Sequence, residues 1–133
     1  MLKGKVALVT GASRGIGEAI AKKFASLGAD VAVIYAGSQD KAEAVVNSCE
    51  SDFGVKAKAY KCDVSDFEAT KELVSKVKSD FGTVHILVNN AGITKDGLIA
   101  MMKEESFDAV IDTNLKGAFN MIRHLTGVFM RNR

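Results

Sequence analysis

The chain of 133 residues is 47% hydrophobic and 26% charged, with 18 basic residues against 16 acidic ones and a net charge of +2. That composition suits one globular domain long enough to bury a core. It excludes the basic stripe of a nucleic-acid-binding domain, and no apolar run approaches the ~20 residues needed to span a bilayer. The first residues lead straight into a strand-like run with no signal-peptide pattern, so a cytoplasmic setting is expected.

Residues 5–10 are apolar and β-branched and predict a first strand. A glycine-rich turn follows, then a helix over 18–27 that Gly28 stops. Residues 31–35 predict a second strand. Ser38 reads as the N-cap of a helix through about Phe53, with Gly54 beyond it. Residues 56–62 predict a third strand, Asp66 caps a helix reaching Phe81, and Gly82 ends it. A fourth strand over 85–89 leads through a loop from Asn90 to about Lys103 into a long helical stretch over 104–130, bent near Asn114. In that stretch Leu115, Ala118, Phe119, Ile122, Leu125 and Phe129 form an apolar stripe expected to face the core. A second face of Gly117, Met121, His124 and Val128 is also weakly polar and is expected to lie outside that core.

Strands alternating with helices predict βαβ units and a parallel sheet. The strands are nearly continuous in apolar residues, as strands covered on both faces are. Right-handed crossovers then give an α/β, doubly wound architecture. The two cysteines, Cys49 and Cys62, have neither metal-ligand nor disulfide spacing, so both are expected to be reduced and no metal site is expected.

The turn after the first strand holds Gly11, Gly15 and Gly17, spaced four and then two apart. Glycines there allow a tight turn and a close approach of the backbone to a ligand. The helix start behind them carries about +0.5 charge and unpaired N–H groups. Together these suit a diphosphate. The spacing is neither Gly-x-Gly-x-x-Gly nor that of a P-loop. Read alone, the glycines also fit a plain tight connection between strand and helix.

The run Thr10, Gly11, then Gly15-Ile16-Gly17, resembles the fingerprint of the short-chain dehydrogenase/reductase family. Asn89-Asn90-Ala91-Gly92 after the fourth strand, Cys62-Asp63-Val64 after the third, and Thr113-Asn114-Leu115 in the long helix resemble its further landmarks. They fall in family order across the whole chain, and within the family they look most like the 3-oxoacyl-(acyl-carrier-protein) reductases. The resemblance implies a Rossmann sheet of strand order 3-2-1-4. Residues 1–133 would form an NADP-binding half-domain ending before the family's fifth strand.

It also implies roles. Gly11, Ala12, Ser13, Arg14, Gly15, Ile16 and Gly17 would surround the diphosphate. Asp63 would bond the adenine amino group with Val64 alongside, and Asn90, Ala91 and Gly92 would line the nicotinamide-side ribose. Asp63 also reads as a simple turn or capping residue. NAD-binding sheets place a carboxylate at the end of strand two to hold the ribose 2′-hydroxyl. Here Ala36, Gly37 and Ser38 stand in that stretch, and the first acid, Asp40, is already in the next helix. Arg14 offers a guanidinium suited to phosphate and Ser38 a hydrogen-bond donor, so NADP(H) is expected over NAD(H). Arg14 equally reads as a solvated turn residue.

Reduction of a ketone needs a proton donor as well as a hydride. In this family the donor is a tyrosine four residues before a lysine, which lowers its pKa, with a serine on the fifth strand. Here Tyr35 is followed at that place by Gln39 and Tyr60 by Val64. Asn114 is the one matching member of the family's catalytic set, with its backbone carbonyl holding a relay water. His85 and His124 are expected to be structural. The reading is therefore the cofactor half of an NADPH-dependent reductase of 3-oxoacyl thioesters, whose substrate is bound to acyl carrier protein, expected as a homo-oligomer and inactive as these residues alone. A catalytically silent nucleotide-binding or interaction fragment, or a short-chain dehydrogenase of another alcohol or ketone, are the alternatives.

Overall fold

A computed structural model describes residues 1–91, 104–105, 108 and 112–132. Gly92, the rest of the expected loop to Lys103, and most of the expected helix over 104–111 lie outside the described residues. The strands are β1 (Val6–Thr10), β2 (Asp30–Tyr35), β3 (Ala57–Lys61) and β4 (Ile86–Val88). They alternate with helices α1 (Gly15–Ser26), α2 (Gln39–Phe53) and α3 (Phe67–Phe81). A π-helical turn over Asp112–Lys116 leads into α4 (Gly117–Arg131). The disturbance expected near Asn114 takes the form of this turn.

All pairings are parallel and the order is β3-β2-β1-β4, as the sequence reading expects. Thr10 stands opposite Ile34 and Val9 opposite Val88, so β1, β2 and β4 end close to one level. Alternate residues of the strands feed two cores. Val9, Val31 and Val33 pack with Ala21 and Ala25 of α1 and Val45 of α2 on one face. Leu8, Ala32 and Ile34 pack with Val77 of α3 and Met121 and Leu125 of α4 on the other. This two-sided burial is why the strands show no polar alternation.

Helix starts follow their capping chemistry. Ser38 Oγ accepts from Lys41 N at 3.3 Å, and Asp66 Oδ1 accepts from Ala69 N at 3.0 Å. Gly54 and Gly82 close α2 and α3. The first helix starts at Gly15, three residues ahead of the expected Glu18, because the glycine turn itself winds into it.

The long helix corrects one expectation. Leu115, Phe119 and Ile122, expected in the core, are 67%, 59% and 53% exposed. The buried side takes Gly117, Met121 and Val128 from the face expected to be outside, together with Asn120, while Leu125 of the expected stripe is fully buried and Phe129 packs against the same core. His124 is half-buried, with Nε2 at 3.0 Å from Phe67 O and its ring 4.4 Å from that of Phe67. Both faces are apolar, so periodicity does not choose between them. The choice is made by a close approach: a Cβ on Gly117 would sit 2.5 Å from Val64 Cγ2. Only the glycine side of α4 can lie this near the β3–α3 loop.

Among the described residues β4 pairs with β1 alone and its other edge has no partner strand. His85, just ahead of β4, uses its ring: Nδ1 accepts the N–H of Val6 at 3.0 Å. The imidazole thereby serves the first backbone donor of β1. Both histidines are structural in the sense expected.

Candidate functional site

The carboxyl ends of β1, β2 and β4 open onto a cleft of about 470 Å³. One hydroxyl holds its floor together. Thr10, 1% exposed at the end of β1, accepts from the N–H of Asn90 at 3.0 Å and from that of Ala91 at 2.9 Å. It lies 3.4 Å from the Val88 carbonyl, to which it donates. Asn90 Nδ2 donates to Gly11 O at 3.1 Å, and Ala12 N donates to Ile34 O at 3.2 Å. The turn after β1 is thus fastened to β2 on one side and to the segment after β4 on the other. Gly17 completes the joint. A Cβ there would lie 2.1 Å from Gly11 O and 2.5 Å from Asn90 Nδ2. No side chain fits between the start of α1 and these two groups.

The helix start behind the cleft is electrostatically open. Arg14 takes the N-cap position with extended backbone, and no side chain caps α1, whereas Ser38 and Asp66 cap α2 and α3. Gly15, Ile16 and Gly17 begin α1, and the first amides of a helix lack intrahelical acceptors. Such amides and the helix dipole attract anions. The exposed Arg14 side chain adds a full positive charge at the same mouth. This donor set fits a diphosphate.

The wall contributed by β2 consists of Ile34, Tyr35, Ala36 and Gly37, so no carboxylate faces a phosphate there. The wall after β3 is Cys62, Asp63 and Val64. Asp63 Oδ1 accepts from Ser65 N at 3.0 Å and from Ser65 Oγ at 2.6 Å, which fixes the carboxylate and leaves Oδ2 as an acceptor. Burial first, then the neighbouring Asp63, pushes the Cys62 thiol up to about 11. Cys62 is therefore a neutral thiol at neutral pH and no nucleophile.

The structure brings most of the expected residues together. Gly11, Ser13, Arg14, Gly15, Ile16 and Ala36 line the cleft from one side. Asp63, Val64, Asn90 and Ala91 line it from the other. Ala12 instead lies fully buried beneath the turn, and Gly17 acts as the spacer described above. Ser38 stands at the start of α2 with its hydroxyl engaged as cap acceptor, which leaves its proton to donate. Asn114 lies exposed in the π-helical turn, outside the cleft lining. Gly92 lies outside the described residues. Sequence reasoning missed Thr10 as the central tie. Its one signal is a hydroxyl residue ending an aliphatic strand directly before the glycine turn. Among the described residues no group of three or more His, Cys, Asp or Glu could hold a metal, and no helix is long and apolar enough to cross a membrane.

The family model described as short chain dehydrogenase matches residues 5–133. A 3-oxoacyl-(acyl-carrier-protein) reductase of Staphylococcus epidermidis is 54% identical over 129 residues, covering 97% of this chain and 52% of the relative. An acetoacetyl-CoA reductase of Shinella zoogloeoides is 46% identical over 129 residues, covering 97% of this chain and 51% of that one. Among solved structures, a short chain dehydrogenase from Burkholderia cenocepacia in complex with NADP superposes with a TM-score of 0.91 at 41% identity. That superposition covers 96% of this chain and 51% of the other. The chain spans about half the length of the curated relatives it matches.

Proposed function

Because the chain belongs to the short-chain dehydrogenase family, we propose that it is the nucleotide-holding part of an NADPH-dependent reductase of 3-oxoacyl thioesters. The observation that carries this reading is the uncapped start of α1, which opens on a cleft whose β2 wall bears no carboxylate. In this reading residues 1–133 act as one cofactor-binding half-domain. The amides of the turn from Gly11 to Gly17 hold the diphosphate, over a floor shaped by Ala12. Arg14, with the proton of the Ser38 hydroxyl, meets the 2′-phosphate, while Ala36 leaves room for the ribose. Asp63 Oδ2 accepts from the adenine amino group beside Val64. Asn90, Ala91 and Gly92 border the second ribose, and Asn114 is assigned to the proton relay. The cofactor itself supplies the hydride.

The likeness to an acyl-carrier-protein reductase supports carrier-bound 3-oxoacyl chains as substrate, and the likeness to an acetoacetyl-CoA reductase supports the coenzyme A thioester as the second to assay. No Tyr-x-x-x-Lys stands in the 133 residues, so we propose that they reduce nothing on their own. The exposed stripe of Leu115, Phe119 and Ile122 is the surface we assign to self-association.

Calorimetry on the full-length protein carrying these residues tests the cofactor. NADPH is expected to bind at least about tenfold more tightly than NADH. Equal affinity, or tighter NADH, overturns the assignment of Arg14. Turnover of acetoacetyl thioesters with NADPH tests the substrate class, and activity on neither thioester overturns it.

A further inference from the structure

The α4 face turned toward the sheet carries a buried amide that no part of the cofactor reading uses. Asn120 is 1% exposed, and its Nδ2 donates to the Val64 carbonyl at 2.9 Å, across 56 residues of sequence. Its Oδ1 is buried and has no hydrogen-bond partner among the described residues. The orientation follows from the chemistry: a carbonyl only accepts, so the amide must turn its nitrogen to Val64 O. Burying a polar atom without a partner is unfavourable, and an apolar residue of similar volume would avoid it. Filling the core therefore does not explain an asparagine here. Its one engaged group acts on the loop between β3 and α3.

That loop is a wall of the cleft, since Cys62, Asp63 and Val64 all line it. A second contact reaches the same residue from the same helix, because Gly117 packs against the Val64 side chain. One turn of α4 thus grips Val64 twice, by its carbonyl and by its methyl. We infer that Asn120 is a positioning residue for the adenosine side of the cleft, holding the Asp63–Val64 wall at the height where an adenine can lie against it. The inference rests on the nucleotide reading above and adds to it a residue on the far side of the wall, outside the cleft lining.

The test uses the full-length protein and two fragments of the cofactor: adenosine 2′,5′-bisphosphate, which has the adenosine half, and reduced nicotinamide mononucleotide, which lacks it. Asn120→Leu removes the donor and the orphaned oxygen together at similar volume. It is expected to weaken the bisphosphate and NADPH by about tenfold, the usual scale for a lost buried hydrogen bond, and to leave the mononucleotide unchanged. Gly117→Ala keeps Asn120 but crowds Val64, and it is expected to give the same selective loss even where Asn120→Leu does not fold. Unchanged bisphosphate affinity in both variants overturns the inference. So does an equal loss for both fragments, which would mark a general effect on folding. An unaltered protein that binds neither NADPH nor the bisphosphate removes the cofactor reading and this one with it.

Discussion

Thr10 shows how much a single atom can hold. Its oxygen receives two half-buried N–H groups from the segment after β4. Thr10→Val keeps shape and β-propensity but strands both donors. Each unsatisfied group costs about 1–3 kcal/mol, so the variant is expected to lower the denaturation free energy by at least about 1 kcal/mol and weaken nucleotide binding. Thr10→Ser should retain most of both, and urea titration alongside calorimetry will separate the three proteins. Gly17→Ala should be harsher at the site, since the added carbon meets Gly11 O at 2.1 Å. Loss of nucleotide binding with retained circular dichroism is the expected result. The glycines were legible because their role is backbone geometry, which residue type reveals. Thr10 was not, because a buried threonine in a strand looks the same whether its hydroxyl returns to its own chain or ties two loops.

At the scale of the element, capping and stopping residues were the most readable features. Ser38, Asp66, Gly54 and Gly82 stand where their chemistry requires. Asp66→Ala is expected to cost about 1 kcal/mol by leaving Ala69 N unpaired, measurable as a shift in the denaturant midpoint. The orientation of α4 was not readable. Its two faces are alike in apolar content, and the decision rests on Gly117 and Asn120 meeting a loop far away in sequence. The corrected orientation makes opposite predictions for adjacent residues. Met121→Ala, fully buried, is expected to cost about 2–5 kcal/mol. Ile122→Ala, half exposed, should cost far less and instead shift the size distribution in sedimentation if the stripe joins two copies.

For the whole molecule, the parallel sheet followed from the alternation of strands and helices and from strands buried on both faces, whereas its order was legible only through the family resemblance. What local pattern lacks is how the layers are fastened at their rims. Asp80, at the end of α3, is one such fastening to the edge strand β3. Its Oδ2 accepts from Tyr60 Oη at 2.6 Å and from Lys58 Nζ at 2.9 Å, and Lys56 Nζ donates to its backbone carbonyl. The Tyr60 hydroxyl first, then Lys58, holds the carboxyl below its ordinary value. A carboxyl lowered on folding stabilises the protein above its unfolded pKa, near 4, and that contribution is lost as pH falls through the lower folded value. Asp80→Asn is therefore expected to show a flatter decline of stability below about pH 4, read from thermal midpoints across the acid range. An unchanged acid profile would remove Asp80 from this role.

The knot at Thr10 joins amides that lie 80 and 81 positions further along the polypeptide. Those amides stay bonded only while β1 and β4 remain paired, so their deuterium uptake should follow the opening of that strand pair. Occupancy of the cleft would then act as a clasp on the β1–β4 pair, slowing exchange along that seam as well as at its mouth.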